Sequence, residues 1–199
     1  VVPNSDDVTF ASLGSFYWAA YYTGDSFNSG GWSACVLMSV KNAPAVSIAL
    51  VPVSPVSAGA VVHATAALSG ATGDAGGTAT YSVYTNNTCT TLYASHQPTG
   101  NPVGVTNASV ADSGNVTFDQ AGTYYWQVAY SGDGNNSGAV SSCSSGSILV
   151  KASPSISLAP SPASPVVIDT AVHGTATLSD ATSNAGGTVT YTVYSDNTC

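Results

Sequence analysis

Residues 116–138 read VTFDQAGTYYWQVAYSGDGNNSG. Within them Tyr124, Trp126 and Val128 alternate with Tyr125, Gln127 and Ala129. A period of two over this length marks a strand with one buried and one wet face. The SGDGNN run at 131–136 that follows has the chemistry of a tight turn. The stretch occurs a second time, as VTFASLGSFYWAAYYTGDSFNSG at 8–30. At this offset of 108 residues, Trp18 stands for Trp126, Asp25 for Asp133 and Cys35 for Cys143.

A second self-match extends the pattern. Residues 44–89 align with 154–199 at an offset of 110, with 26 identities in 46 ungapped positions. That density, clearest in HATAALSGATGDAGGTATYSVYTNNTC against HGTATLSDATSNAGGTVTYTVYSDNTC, identifies a duplicated unit. The two offsets differ by a short loop deletion between Cys35 and Lys41. Three segments follow: 1–43 is the back part of one repeat, 44–152 a complete repeat, and 153–199 the front part of a third. The joins read VKNAP and VKASP. Proline fixes φ and removes a backbone donor, so each join is expected to be a short, semi-rigid linker.

Within the complete repeat, runs bounded by Gly, Pro, Asn and Ser predict strands at 45–51, 59–68, 77–85, 90–94, 103–110, 114–118, 122–130 and 145–151. No window carries a helical period. Val62, Ala64, Ala66 and Leu68 share one face, as do Ala79, Tyr81 and Val83. The expected class is an all-β antiparallel sandwich with Trp126, Tyr124 and Tyr81 in its core, and Trp18 in the core of the preceding repeat.

The run DQAGTYYW at 119–126 resembles the sixth-strand signature of immunoglobulin domains. The GTYYWQVAYSGDGNN pattern as a whole is similar to bacterial and archaeal immunoglobulin-like tandem repeats of large cell-surface or secreted proteins. The resemblance implies sandwich repeats of about 110 residues, and makes Tyr124 a tyrosine-corner residue whose hydroxyl bonds back to the backbone. Trp126 takes the place of the usual core cysteine, and Phe16 replaces the corner tyrosine in the preceding repeat.

Composition narrows the function classes. Only 6% of residues are charged, the net charge is -8, and Lys41 and Lys151 are the only cations besides histidine. A chain so poor in cations cannot neutralise phosphates, so nucleic-acid binding is not expected, nor is electrostatic attachment to anionic lipid. No apolar run is long enough for a membrane span. With 44% hydrophobic residues and eleven Tyr, the chain is not a disordered one. Two lysines and no arginine leave trypsin-like proteases almost nothing to cut, which suits an extracellular setting.

The four cysteines give each full repeat two, in TNNTC and in SSCSS, so Cys89 is expected to pair with Cys143. Cys35 and Cys199 then have their partners either in chain outside these residues or in a neighbouring copy. In that second reading, 154–199 of one molecule and 1–43 of the next complete a domain. Metal ligation by these cysteines is disfavoured, because no Cys-x-x-Cys or nearby His cluster exists. Asp25 and Asp133 are weak calcium candidates. A single carboxylate in such a loop more often closes an Asx turn. His63, His173 and His96 are read as strand or loop histidines without a catalytic constellation. Asn86, Asn107, Asn115 and Asn135 begin N-x-Ser/Thr sequons and are glycosylation candidates, in a chain where Asn, Ser and Thr are abundant. A Lys151–Asn isopeptide lacks the usual catalytic Glu, since the chain has none.

The expected function is structural: a secreted or surface-anchored glycoprotein array forming a filament, stalk or sheath. No enzyme activity and no cofactor are expected, and the expected partners are identical neighbouring subunits. The alternative is an adhesin for carbohydrate or protein ligands, with tyrosines such as Tyr93 and Tyr125 stacking on sugars.

Overall fold

A computed structural model describes residues 2–199; Val1 lies outside the described residues. Four short strands come first: β1 (Gly14–Trp18), β2 (Tyr21–Gly24), β3 (Ser29–Trp32) and β4 (Val36–Val40). β1 pairs with β4 and β2 with β3, both antiparallel.

The middle of the chain carries the core. Its strands are β5 (Ala45–Val51), β6 (Val56–Ser57), β7 (Ala60–Ser69), β8 (Thr78–Tyr84), β9 (Val103–Thr106), β10 (Ser109–Val110), β11 (Val116–Phe118), β12 (Gly122–Tyr130), β13 (Ala139–Val140) and β14 (Ser147–Lys151). One layer is β5–β7–β11, all antiparallel. The other runs β9–β8–β12–β14–β6, with β6 parallel to β14 at its edge. The tight hairpin β9–β10 also bonds to β7, so the two layers join into one ten-stranded sheet, eight strands in a continuous path with β5 and β13 attached beside it. This is an all-β sandwich arrangement.

The alternation read from the sequence is what fills its interior. In β12, Tyr124, Trp126, Val128 and Tyr130 are buried, and the residues between them are not. They meet Val62 and Ala64 of β7, Ala79, Tyr81 and Val83 of β8, Phe118 of β11, and Ile148 and Val150 of β14 in one cluster. Trp126 is its largest fully buried side chain. Burying a side chain of that size is worth about a few kcal/mol, and it takes the whole cluster together to offset the ordering of the strands that carry it.

Two expectations about strands need correcting. Residues 90–94 do not form a strand; only Leu92 bridges to Tyr84. The outer edge of β8 is closed instead by two side-chain amides. Asn101 accepts from the Tyr81 N–H at 3.1 Å and donates to the Tyr81 carbonyl at 2.7 Å. Gln97 does the same for Val83, at 3.1 and 2.7 Å. A primary amide carries an N–H donor and a carbonyl acceptor side by side, as a strand backbone presents them, so it can stand in for a missing strand. The second correction concerns 103–110, which breaks into β9 and β10 because Asn107 and Ala108 adopt positive φ, 50° and 61°. Smaller differences are the short strands β6 and β13, and a 3-10 turn at Cys143–Gly146 where the last strand was expected to begin.

At the far end, β15 (Ser155–Ser161) pairs with β16 (His173–Ser179), and residues 180–199 form no strand. The registers of the terminal pairs match those of the middle. Gly14 faces Val40 and Phe16 faces Met38, as Gly122 faces Val150 and Tyr124 faces Ile148. Tyr21 faces Trp32 as Ala129 faces Val140. Ile156 faces Leu178 as Val46 faces Leu68. The burial does not match: Trp18, expected in a core, is 36% exposed, against 0% for Trp126.

Candidate functional site

The feature that binds distant parts of the chain together is the turn after β12. Tight turning at Gly132 (φ 74°) brings the Asp133 carboxylate over its own loop. Its Oδ1 accepts from the N–H groups of Asn135 and Asn136, both at 2.8 Å. Its Oδ2 accepts from the Gly76 N–H at 2.7 Å, in the turn between β7 and β8. The Asn136 amide donates to both carboxylate oxygens, at 2.9 and 3.0 Å. It also donates to Thr72 Oγ1 and accepts from the Thr72 N–H, each at 2.9 Å, although Asn136 is fully buried. The Tyr130 hydroxyl donates to the Gly76 carbonyl at 2.9 Å. One carboxylate and one amide thus tie two loops at the same end of the sandwich.

The Gly76 N–H is the main reason why the Asp133 carboxyl is held well below the usual carboxylate range. Burial is the next largest influence and works the other way, and the N–H of Asn135 and the amide of Asn136 outdo it by adding to the Gly76 bond. Asp25 repeats the local part of the pattern, with Phe27 N–H and Asn28 N–H at 2.8 Å and the Tyr22 hydroxyl at 3.1 Å. Its carboxyl is likewise held down, first by the Phe27 N–H. Both weak calcium candidates therefore spend their oxygens on N–H and O–H donors of the turn. Among the described residues, no group of three His, Cys, Asp or Glu side chains is placed to hold a metal.

The same turn receives the VKNAP join. Lys41 Nζ donates to the Asp133 carbonyl at 2.5 Å. The Asn42 N–H donates to the Asn135 carbonyl at 2.9 Å, and the Ser137 N–H to the Asn42 carbonyl at 2.8 Å. Asn42 and Asn136 thereby form a parallel bridge. Lysine at this point of the join has a structural use that sequence reading missed. The signal lay in the sequence, where the two lysines of the chain stand at the two joins.

At the other end, Cys89 and Cys143 are disulfide-bonded, with their Cα atoms 5.8 Å apart. The bridge ties the turn after β8 to the 3-10 turn that leads into β14. Gly146 closes that turn against β12, where a Cβ would collide with the Trp126 carbonyl. Cys35 and Cys199 are free and exposed.

An aromatic stack lies across the open side. His96 stacks on Tyr93 at 4.0 Å, Tyr93 on Tyr124 at 4.9 Å, and Tyr124 leans on Phe118 at 4.8 Å. His96 Nε2 lies 3.3 Å from Asp119. The Tyr124 hydroxyl donates to the Gln120 carbonyl at 3.2 Å, and burial pushes its pKa up to about 12. Tyr93, offered as a sugar-stacking residue, is half-buried and has one face on Tyr124 and the other on His96. His63 is a half-buried strand residue paired with Val51, and His173 is exposed in β16. The sequon residues Asn107, Asn115 and Asn135 are exposed, whereas Asn86 is half-buried and accepts the N–H groups of Thr90 and Thr91.

The Ser95 hydroxyl lies 2.8 Å from His96 Nδ1, on the opposite side of the ring from Asp119. The clefts are open and lined mainly by Ala, Gly, Pro, Thr and Val. No helix among the described residues is long and apolar enough to cross a membrane. Compared with known proteins, the chain matches no family model and no curated sequence.

Proposed function

We propose that this chain is a stretch of an extracellular structural array, built from immunoglobulin-like modules of about 110 residues and serving as a surface filament, stalk or sheath. The observation that carries the reading is the clasp between the VKNAP join and the Asp133 turn. A join fixed by three hydrogen bonds to the module it precedes transmits orientation and load, as a stalk requires. The strand order supports the immunoglobulin-like topology. β5–β7–β11 faces β8–β12–β14, with β6 crossing over to run parallel to β14. Tyr124 bonded to the carbonyl four residues earlier fits the tyrosine corner. The strand registers at both ends, which match those of the middle, and the Asx turn shared by Asp25 and Asp133 support tandem repetition. The disulfide and the near-absence of trypsin sites favour an oxidising, protease-exposed compartment.

The test is immunogold labelling of intact cells of the source organism with antibody raised against folded 44–152. Labelled surface fibres are the expected result, and labelling only after permeabilisation would refute the reading. An adhesin is the second reading, favoured by exposed aromatics such as Tyr17, Tyr21 and Trp32. Glycan-array binding by the 199-residue chain would decide for it.

A further inference from the structure

The structure divides the four sequons of the middle module into two that are spent on the fold and two that are free. The Asn86 amide donates to Thr88 Oγ1 at 2.8 Å and to Thr90 Oγ1 at 2.6 Å, and its oxygen accepts the N–H groups of Thr90 and Thr91 at 3.1 and 3.0 Å. Thr88 is the hydroxyl residue of that same sequon, and the bridged Cys89 follows it directly. The Asn135 sequon is held at both ends by the join. Asn135 accepts the Asn42 N–H on its carbonyl, and Ser137 gives its N–H to the Asn42 carbonyl. Asn107 and Asn115 differ. Their side chains, and those of Ser109 and Thr117 that complete their sequons, are exposed and make no hydrogen bond among the described residues. Asn107 stands at the tip of the β9–β10 turn, where its φ of 50° is one that asparagine tolerates better than most residues.

The two free sequons share one flank. Ser109 pairs with Ala67, the Ser113 N–H donates to the Ala64 carbonyl, and Val116 pairs with Val62. Residues 109–118 thus run as an interrupted strand along one side of β7. β5 holds the other side, with Ser47 opposite Ala67. Beyond β11 no further strand is paired among the described residues, so β11 is a sheet edge. Native sheets guard such an edge with charge, with proline or with a covering group, because unpaired backbone invites strand addition. Charge is not used here: strands β5 to β14 carry one lysine, Lys151, and no carboxylate.

We propose that Asn107 and Asn115 carry N-linked oligosaccharides and that Asn86 and Asn135 do not. This deepens the array reading above and rests on its extracellular placement. The donor is an oligosaccharide joined through phosphate to a lipid. Nδ2 of the asparagine bonds to the anomeric carbon of the first sugar, the bond from that carbon to the lipid phosphate breaks, and Nδ2 gives up one proton. No oxidant or reductant is consumed. Sugars at the two positions are bulky and hydrated. They stand at the hairpin tip and at the entry to β11, and they supply along this flank the guard that charge supplies elsewhere.

The experiment is glycopeptide mass mapping of the protein purified from the source organism. Cleavage before aspartate and after aromatic residues separates the four sequons, since Tyr93, Asp112 and Asp133 lie between them. The peptides of Asn107 and Asn115 should carry sugar, and those of Asn86 and Asn135 should be bare. A bare Asn107 or Asn115, or sugar on Asn86 or Asn135 at equal occupancy, would overturn the proposal. Sequon-breaking variants made in the same organism check the assignment without touching either asparagine. Ser109→Ala and Thr117→Ala should each lower the intact mass by one glycan, and together by two. Asn86→Gln and Asn135→Gln should lower it by none; the loss of a glycan from either would count against the proposal. Surface labelling of cells by antibody to 44–152 is read separately. Labelled fibres with bare sequons would leave the array reading standing and sink this one, and sugar on both sites with label only after permeabilisation would do the reverse.

Discussion

Replacing both Cys89 and Cys143 by serine removes the only covalent tie between the turn after β8 and the approach to β14. The bridge spans 54 residues of sequence. A cross-link of that span lowers the entropy of the unfolded chain by about 14 cal/mol/K, so its loss costs about 4 kcal/mol at room temperature. Small domains have only about 5–15 kcal/mol in total, so the variant should fold but sit near the margin. The measurement is urea unfolding in a Cys35→Ser, Cys199→Ser background, which removes intermolecular exchange. Trp126 is fully buried while Trp18 and Trp32 are exposed, so the change in tryptophan emission reports chiefly on the core. The unfolding free energy should fall by about 4 kcal/mol and the denaturant slope should rise, because the uncrosslinked chain exposes more surface when unfolded. A loss below about 1 kcal/mol with an unchanged slope would refute the argument. The bridge would then act on neither the unfolded chain nor the packing of the Cys143–Gly146 turn.

Other perturbations probe single contacts. Tyr124→Phe keeps the ring in the aromatic stack and removes only the hydroxyl bond to Gln120, so urea unfolding should show a loss of about 1 kcal/mol. Gly146→Ala forces a methyl group against the Trp126 carbonyl. A loss of about 1–3 kcal/mol, read as a lower melting temperature, is the expected result, and no change would mean that the turn has room to move. Acid should loosen the Asp133 turn. Its folded pKa lies below the ordinary range of an aspartate carboxyl, so its contribution is complete at neutral pH and drains away as pH falls through and below that range. Asp133→Asn should flatten the dependence of unfolding free energy on pH in that acid window, and an unaltered slope would show that the turn does not couple to folding.

Much of the core was legible in the chain itself. Tyr124, Trp126 and Val128 lie inward because a strand sends alternate side chains to opposite faces, and no partner is needed to know which set is apolar. The disulfide was legible from cysteine count and position within the duplicated unit. The edge of β8 was not. Gln97 and Asn101 lie in a loop whose sequence carries no period, and their pairing with Val83 and Tyr81 depends on how far away the loop places two amides. The 90–94 run looked like a strand because Thr, Leu and Tyr favour extended backbone, but propensity does not supply a partner.

The candidate site divides in the same way. Asp133 in SGDGNN announces an Asx turn by local chemistry alone, since its acceptors and the N–H groups it binds lie within three residues. That the same carboxylate holds Gly76, and that Lys41 reaches its carbonyl from 92 residues away, could not be read from the chain. The sequence by itself determined the all-β class, the inward set Tyr124, Trp126 and Val128 of β12 and the pairing of Cys89 with Cys143, because these follow from periodicity and from the positions of the cysteines. Only the tertiary structure decided which loops touch, which edges are closed by side chains, and that Trp18 is exposed where Trp126 is buried. Burial depends on a second layer arriving from elsewhere in space, and a strand carries the same alternation whether or not that layer comes.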